Sequence, residues 1–266
     1  MFCYQCEQVA KGRACTKQGV CGKDPQVAAL QDLLVHAVKG ISAYAHCAAK
    51  CGASDRELDS FVLGALFTTL TNVNFDPADF QRLITCAAGM RDRARALCLR
   101  ACPPELAWAG AWKPAPDLDG LVRQGKQVSI QKRIQRHGEE VAGLQELILY
   151  GVKGAAAYAY HAGVLGREDS GLCAMLHELL AFVACEPTDR AELLGKALRA
   201  GEVNLKAMEL LDAANTGTFG HPEPARVRVT PLKGKCIVVS GHDLKDLEEL
   251  LRQTEGRGIN VYTHCE

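Results

Sequence analysis

Four cysteines, Cys3, Cys6, Cys15 and Cys21, lie close together at the start of the chain. Thiols at this density can form disulfides, bind zinc or hold an iron–sulfur cluster. The 266 residues contain 13 cysteines, an odd number, and no secretory signal precedes the first of them. We therefore interpret them as free or metal-bound thiols in a reducing cytoplasm. Zinc sites usually pair two short Cys-x2-4-Cys motifs, and only Cys3 and Cys6 form one. The spacing favours a [4Fe-4S] cluster and leaves zinc open as the alternative.

A second group of candidate ligands lies at the other end of the chain. His242 follows a predicted strand at 235–240, and Glu266 follows another at 259–262. The carboxyl ends of parallel strands meet at one edge of a sheet, so the two side chains can converge on one metal or substrate. An imidazole and a carboxylate are suitable iron ligands. On this geometry alone, His242 as a helix cap and Glu266 as a solvated terminus remain alternatives.

The remaining cysteines are predicted to be small buried hydrophobic residues. Two pairs, Cys47 with Cys51 and Cys98 with Cys102, are four residues apart and could place two thiols on one helical face. The others in this group are Cys86, Cys173, Cys185 and Cys236.

The elements that position these residues are mostly helical. Apolar residues recur at three- and four-residue spacing from Leu30 to Ala45. A capping box formed by Ser54 and Glu57 predicts a second helix, and Asp76 before Pro77 predicts the start of a third. Residues 103–120 are predicted to be a connecting loop. The helical pattern then resumes near residue 139 and continues, with breaks near 163–170 and 186–187, to about 215.

The second helical half repeats the first. Residues 30–45 are LQDLLVHAVKGISAYA and residues 144–159 are LQELILYGVKGAAAYA. This offset predicts two similar helical bundles, with Gly40 matched to Gly154 and Tyr44 matched to Tyr158. The matched glycines favour tight helix packing, with the close approach of another group as the alternative.

The composition changes after residue 222. A strand, an amphipathic helix at 243–252 and a second strand form a βαβ unit, whose strands should be parallel. We therefore predict a mainly α protein followed by an α/β segment. Residues 1–222 form the helical domain with two bundles, and residues 223–266 form the first βαβ unit of an incomplete Rossmann-like domain.

The charge balance excludes some classes of partner. Lysine plus arginine equals aspartate plus glutamate, at 31 each. This neutrality favours neither nucleic acid nor an anionic membrane as a partner, and no apolar run approaches the roughly 18 residues of a membrane span. One basic stretch, 123–137, is predicted to be a solvated face because aromatic residues do not interrupt it.

Three segments together resemble the hybrid cluster protein family, also called prismane proteins, whose activity is the reduction of hydroxylamine. They are MFCYQCEQ at the start, LQDLLVHAVKGISAYA in the first helix, and SGHDLKDLEELLRQTEGRGINVYTHCE at the end. The resemblance covers residues 1–266, and members of the family are roughly twice as long. The chain is therefore similar to their amino-terminal helical domain and the beginning of the next domain.

The resemblance implies specific cofactors and ligands. Cys3, Cys6, Cys15 and Cys21 match the motif that holds a [4Fe-4S] cluster. His242 and Glu266 match two ligands of the hybrid [4Fe-2O-2S] cluster, and both are implied to act in catalysis. Cys265 departs from the small residue that is usual beside the glutamate.

The implied function is an iron–sulfur oxidoreductase that reduces hydroxylamine, or nitric oxide, and receives electrons from a redox protein. Because the other hybrid-cluster ligands of the family match no residue here, we expect residues 1–266 alone to be inactive. A stand-alone [4Fe-4S] electron-transfer protein and a relative of carbon monoxide dehydrogenase are the alternative interpretations.

Overall fold

The computed structural model describes residues 1–98, 110–240 and 243–264. A short 3-10 helix (Ala10–Gly12) lies within the first loop. The remaining elements, in chain order, are α1 (Pro25–Ala49), α2 (Arg56–Thr68), α3 (Pro77–Cys98), α4 (Leu118–Gln127), α5 (Ile130–Val164), α6 (Ser170–Ala184), α7 (Arg190–Phe219), β1 (Lys235–Ser240), α8 (Leu244–Thr254) and β2 (Ile259–His264). This order confirms the predicted fold class, helical bundles followed by a βαβ unit.

Helix α1 is the central element of the first bundle. It begins with Pro25 after the N-cap Asp24, whose carboxylate accepts a hydrogen bond of 2.7 Å from the amide of Val27. Proline suits the first helical position because that amide has no partner within the helix. Most of the α1 residues are buried on all sides, including Leu30 and Ile41. A helix that is buried all round must have neighbours on every face, and α1 contacts α2, α3, α4 and α6.

The two bundles exchange contacts. Within the first bundle α1 packs mainly on α3, and within the second bundle α5 packs mainly on α7. Between the bundles α1 packs on α6, while its counterpart α5 packs on α2. The two segments of the sequence repeat lie in α1 and α5, so the repeat corresponds to two helix triplets with reciprocal packing.

A buried polar group ties three helices together across this interface. The ring of His177 on α6 lies 3.0 Å from the hydroxyl of Ser42 on α1 and 2.9 Å from a carboxylate oxygen of Asp59 on α2. Ser42 is fully buried, so no substrate reaches its hydroxyl. The arrangement therefore stabilises the packing of the bundles, because a buried imidazole needs partners for both nitrogen atoms.

Two helix starts differ from the prediction. Asp55, rather than Ser54, caps α2, because its carboxylate accepts hydrogen bonds from the amides of Glu57 and Leu58. Helix α5 begins at Ile130 rather than near residue 139. Gly138 interrupts this helix with a φ of 81°, which explains why the apolar periodicity is clear only after it.

The predicted loop at 103–120 ends earlier than expected. Helix α4 begins at Leu118 after the N-cap Asp117, and the sequence did not predict this helix. Gly125 on α4 approaches the backbone of α1 closely: a Cβ atom there would lie 2.0 Å from the carbonyl oxygen of Ala29. In contrast, a Cβ atom at Gly154 would meet nothing within 4 Å. Neither tight packing nor the close approach of another group therefore explains Gly154 within the described residues.

The α/β unit follows an exposed segment. After Phe219 the chain runs without regular structure until β1, and the two strands pair in parallel from Lys235 with Ile259 to Ser240 with His264. A close contact between the ring of His161 at the end of α5 and the carboxylate of Asp243, the N-cap of α8, connects the unit to the helices. No helix among the described residues is long and apolar enough to cross a membrane. The domain boundary at 222 stays a prediction.

Candidate functional site

The four amino-terminal cysteines lie in the loop before α1. Cys3 and Cys15 face each other in an antiparallel bridge, in which the amide of Cys15 donates a 2.8 Å hydrogen bond to the carbonyl of Cys3 and the reverse bond is 3.1 Å. Cys15 is buried, whereas Cys3, Cys6 and Cys21 are partly exposed. The backbone therefore brings together Cys3 and Cys15, the first and third of the four cysteines, which are 12 residues apart in sequence (15 − 3).

The surroundings of Cys15 favour its thiolate form. Hydrogen bonds from the backbone at Ala10 and Val20, together with the charge of Lys23, hold the pKa of this thiol below its ordinary value despite burial. The thiolate is the form that binds a metal. Hydrogen bonds to cysteine sulfur atoms are also a means by which proteins adjust iron–sulfur clusters.

Lys23 lies beneath the loop and is almost fully buried. Its ammonium group donates a 2.7 Å hydrogen bond to the side-chain oxygen of Gln31 and lies 3.9 Å from the sulfur of Cys3. The loop packs tightly against it: a Cβ atom at Gly19 would lie 3.0 Å from the Cβ of Lys23 and 3.1 Å from the sulfur of Cys21. A buried positive charge beside sulfur stabilises negative charge on the thiolates.

Residues of both bundles hold the loop in place. The carbonyl oxygen of Gln5 accepts hydrogen bonds from the hydroxyl of Thr71, at 3.3 Å, and from the hydroxyl of Tyr150 on α5, at 2.8 Å. The hydroxyl of Tyr4 donates to the carboxylate of Glu146, also on α5. Burial and the charge of Glu146 raise the pKa of Tyr4 strongly, so Tyr4 remains a donor. The loop therefore has a defined position rather than a free end.

The loop fits an iron–sulfur cluster by its chemistry. It supplies four thiols, backbone donors to one sulfur and a buried cation beside another. Within the described residues, no group of three or more His, Cys, Asp or Glu side chains closes on a single metal ion.

The second pair of predicted ligands lies outside the described residues. His242 and Glu266 each come two residues after the end of a strand, β1 at Ser240 and β2 at His264. Ser240 and His264 are partners in the register of the parallel pair, so both strands end at the same edge of the sheet. Cys265 and Cys102 also lie outside the described residues.

A cavity of about 530 Å³ lies beside the cysteine loop. Residues 2–5 of the loop form one wall, and α1, the segment from Gln127 into α5, and the end of α6 form the others. Two acidic and two basic residues of the repeat face it at matched positions. Asp32 and Lys39 on α1 correspond to Glu146 and Lys153 on α5.

Burial shifts the ionisation of these groups. It raises the pKa of Asp32 to about 7, with the charge of Glu146 adding to the effect. It lowers the pKa of Lys39 to about 7 and that of Lys153 to about 8. Burial and the charge of Lys39 lower the pKa of His36 to about 3. Glu146 behaves differently: burial opposes its ionisation, but Arg133 and Lys39 hold the pKa of this carboxyl below its ordinary value.

The prediction of a solvated basic face at 123–137 is wrong for Arg133, whereas Arg123, Lys126 and Arg136 are exposed. Arg133 is buried and forms an ion pair with Glu146, and Arg136 and His137 line the cavity beside Glu186. The sequence did not identify these residues as part of a site. The signal in the sequence was the pair of charged positions that both copies of the repeat share, an acidic residue followed seven residues later by a lysine. These charges lie on helices that are otherwise apolar.

The other cysteines divide into two groups. Cys47, Cys98 and Cys173 are buried, as predicted, and burial raises the pKa of Cys173 to about 12. The prediction of burial is wrong for four others, because they lie on outward-facing positions of helices, in turns or on an open strand. These are Cys51, Cys86, Cys185 and Cys236.

Comparison with known proteins identifies relatives along the whole chain. Residues 1–266 match the model of the Prismane/CO dehydrogenase family. The chain is similar to proteins named hydroxylamine reductase from Rhodospirillum rubrum (50% identity), Syntrophobacter fumaroxidans (49%) and Burkholderia lata (51%). Each match covers 100% of this chain and 49–50% of the relative, so the chain spans about half the length of these curated relatives.

The predicted resemblance is thereby confirmed, since both the cysteine loop and the βαβ unit fall within the matched range. The chain belongs to the Prismane/CO dehydrogenase family.

Proposed function

We propose that this chain belongs to an iron–sulfur oxidoreductase that reduces hydroxylamine to ammonia and water, with two electrons and two protons consumed per molecule. The observation that carries the proposal is the cysteine loop, in which four thiols share one fixed segment and Cys3 and Cys15 face each other. The names of the relatives support the choice of hydroxylamine as substrate.

In this proposal Cys3, Cys6, Cys15 and Cys21 hold a [4Fe-4S] cluster. Such a cluster supplies transfer of single electrons, which a donor redox protein would provide. The residues of the chain keep the site in a defined state. Backbone donors lower the pKa of the Cys15 thiol, and the buried ammonium of Lys23 offsets negative charge at the sulfur of Cys3.

His242 and Glu266 are proposed as ligands of a second, hybrid [4Fe-2O-2S] cluster at which the substrate is reduced. The support for this assignment is their sequence position after β1 and β2, two strands that end at one sheet edge. Of the two, Glu266 suits a site that must change coordination, because a carboxylate is a harder ligand than the sulfur donors that iron also binds.

Iron content tests the first assignment. Anaerobically purified protein should contain about four iron atoms per chain in the amino-terminal cluster, and Cys15→Ser should lose them. Cys86→Ser is the matched control, because Cys86 is an exposed thiol on α3 and far from the loop in sequence. Retention of all iron in Cys15→Ser, or stoichiometric zinc in place of iron in the wild type, would contradict the assignment.

Ammonia production tests the activity. The complete gene product, with a reduced dye as donor, should convert hydroxylamine to ammonia. Glu266→Ala should abolish turnover while the amino-terminal cluster keeps its spectrum, and the exposed Glu255→Ala should behave like the wild type. Undiminished turnover in Glu266→Ala would refute the role of that residue. A gene product that exchanges electrons but leaves hydroxylamine unchanged would instead support a stand-alone electron carrier.

A further inference from the structure

Two buried lysines in the cavity beside the cysteine loop have no direct ion-pair partner among the described residues. Lys39 and Lys153 line it and are each only 7% exposed. Among residues 1–98, 110–240 and 243–264, neither ammonium group has an ion pair within 4.0 Å or a hydrogen bond. Buried lysines without a partner are rare, because the desolvated charge is costly unless it is compensated.

The acidic groups of the cavity favour the charged form of the two lysines only at a distance, since within the described residues none of them forms a direct ion pair with Lys39 or Lys153. Glu146 forms an ion pair with Arg133 and accepts from Tyr4. Glu186 contacts Arg136 at 2.6 Å and His137 at 2.7 Å. Both carboxylates therefore already have direct partners of their own.

Asp32 is the third acidic group. It is the one lining carboxyl that has no direct ion pair in the described part of the chain, and burial weakens its ionisation near neutral pH. Of the three lining carboxyls, none is in direct contact with either lysine in the described part of the chain, so both amino groups remain available to a ligand.

The size and lining of the cavity define what it would accept. About 530 Å³ lies in the range of sites for small organic molecules, roughly 300–1,000 Å³. Apolar side chains, among them Val35, Leu149 and Val183, share the wall with the lysines. A ligand that suits both parts combines an anionic group with an apolar body.

A further feature at the edge of the cavity favours negative charge. Helix α5 begins there at Ile130, and its N-cap Ser129 donates its hydroxyl to the carbonyl of Lys126 instead of accepting from the helix amides. The first amides of a helix attract anions when no side chain caps them.

From these observations we propose that the cavity is a binding site for a small organic oxyanion, a carboxylate or a phosphate ester, with Lys39 and Lys153 as its charged partners. The proposal goes beyond the reduction of hydroxylamine, which is uncharged at neutral pH and much smaller than the cavity. It does not depend on either cluster, because all of the groups that it uses belong to the chain itself.

Calorimetric titration of the complete gene product with phenyl phosphate, benzoate and benzyl alcohol tests the site. At constant ionic strength we expect saturable binding of at least one of the two anions and at least about tenfold weaker binding of the neutral alcohol. Binding of phenyl phosphate alone would assign phosphate esters as ligands, binding of benzoate alone would assign carboxylates, and binding of both would show a general oxyanion site.

Variants of the two lysines complete the test. Lys39→Gln and Lys153→Gln should each weaken anion binding by about 10- to 100-fold, as expected for one charged hydrogen bond. Lys206→Gln is the matched control, because Lys206 is exposed on α7, and it should leave the affinity for anions unchanged. Lys39→Met provides a second variant, and helical circular dichroism confirms that each protein is folded. Absence of saturable binding by both anions, equal affinity for benzyl alcohol, or unchanged affinity in the folded Lys39 and Lys153 variants would overturn the proposal.

Discussion

The buried ion pair between Arg133 and Glu146 allows a quantitative test of how the cavity wall is stabilised. The two side chains are 9% and 11% exposed. Replacing Arg133 with methionine keeps most of the side-chain volume but leaves the Glu146 carboxylate buried without its main counter-charge. Loss of one partner from a buried pair typically costs about 3–5 kcal/mol. Because Glu146 keeps the hydrogen bond from Tyr4, we expect the lower end, about 3 kcal/mol.

The pH dependence separates this effect from a simple loss of packing. In the wild type the pKa of Glu146 is below its ordinary value, so the ionised group stabilises the fold above its unfolded-state pKa, and this contribution is lost as the pH falls through the folded-state pKa. Without the charge of Arg133, less remains to offset the effect of burial on Glu146, so the pKa of Glu146 should rise. The variant should therefore be most destabilised at pH 8, and the difference should shrink at pH 5 as Glu146 becomes protonated.

Urea unfolding followed by circular dichroism gives the measurement. With a denaturant dependence of about 3 kcal/mol per molar urea, near the upper end for small proteins, Arg133→Met should lower the midpoint at pH 8 by about 1 M. The control is Arg190→Met, since the pair of Arg190 with Glu140 is 65% and 62% exposed and should contribute less than about 1 kcal/mol. A midpoint for Arg133→Met equal to that of the control, or a shift of the same size at pH 5 and pH 8, would refute the reasoning.

Three further predictions concern local structure and use the same unfolding measurement. Gly125→Ala should destabilise the protein by more than about 2 kcal/mol, because its Cβ would lie 2.0 Å from the carbonyl oxygen of Ala29; wild-type stability would contradict the close approach. Gly154→Ala should be neutral or stabilise by up to about 1 kcal/mol, because nothing lies within 4 Å of its Cβ, and a clear loss of stability would show that the site is occupied. Asp169→Ala should cost about 1 kcal/mol, because its carboxylate caps α6 through a 3.0 Å bond from the amide of Leu172; Asp169→Asn, the control, should retain most of the stability, and equal losses would argue against a capping role.

Local patterns in the sequence predicted much of the fold. The start of α3 at Asp76 and Pro77 is confirmed by the 2.9 Å hydrogen bond from the amide of Ala78 to Asp76. The repeat correctly predicted helices at both copies, since each copy lies within one long helix. These features depend on caps and on spacing, which are visible within a few residues.

The cavity could not be predicted in the same way. Arg133 lies in a run of basic and polar residues that is typical of a solvated face, and only its partner Glu146 on the next turns of α5 explains its burial. Likewise Lys39 and Lys153 become neighbours of one cavity only when the two bundles pack. Such contacts depend on tertiary packing, which outweighs local pattern.

The exchange of contacts between the two helix triplets has a consequence for assembly. Because α1 packs on α6 and α5 packs on α2, each triplet completes the core of the other. The helical region thus consists of two triplets that depend on each other for burial of their apolar faces. A chain cut between α3 and α4 should accordingly behave as a heterodimer, whose pieces are stable only together and whose melting temperature rises with concentration.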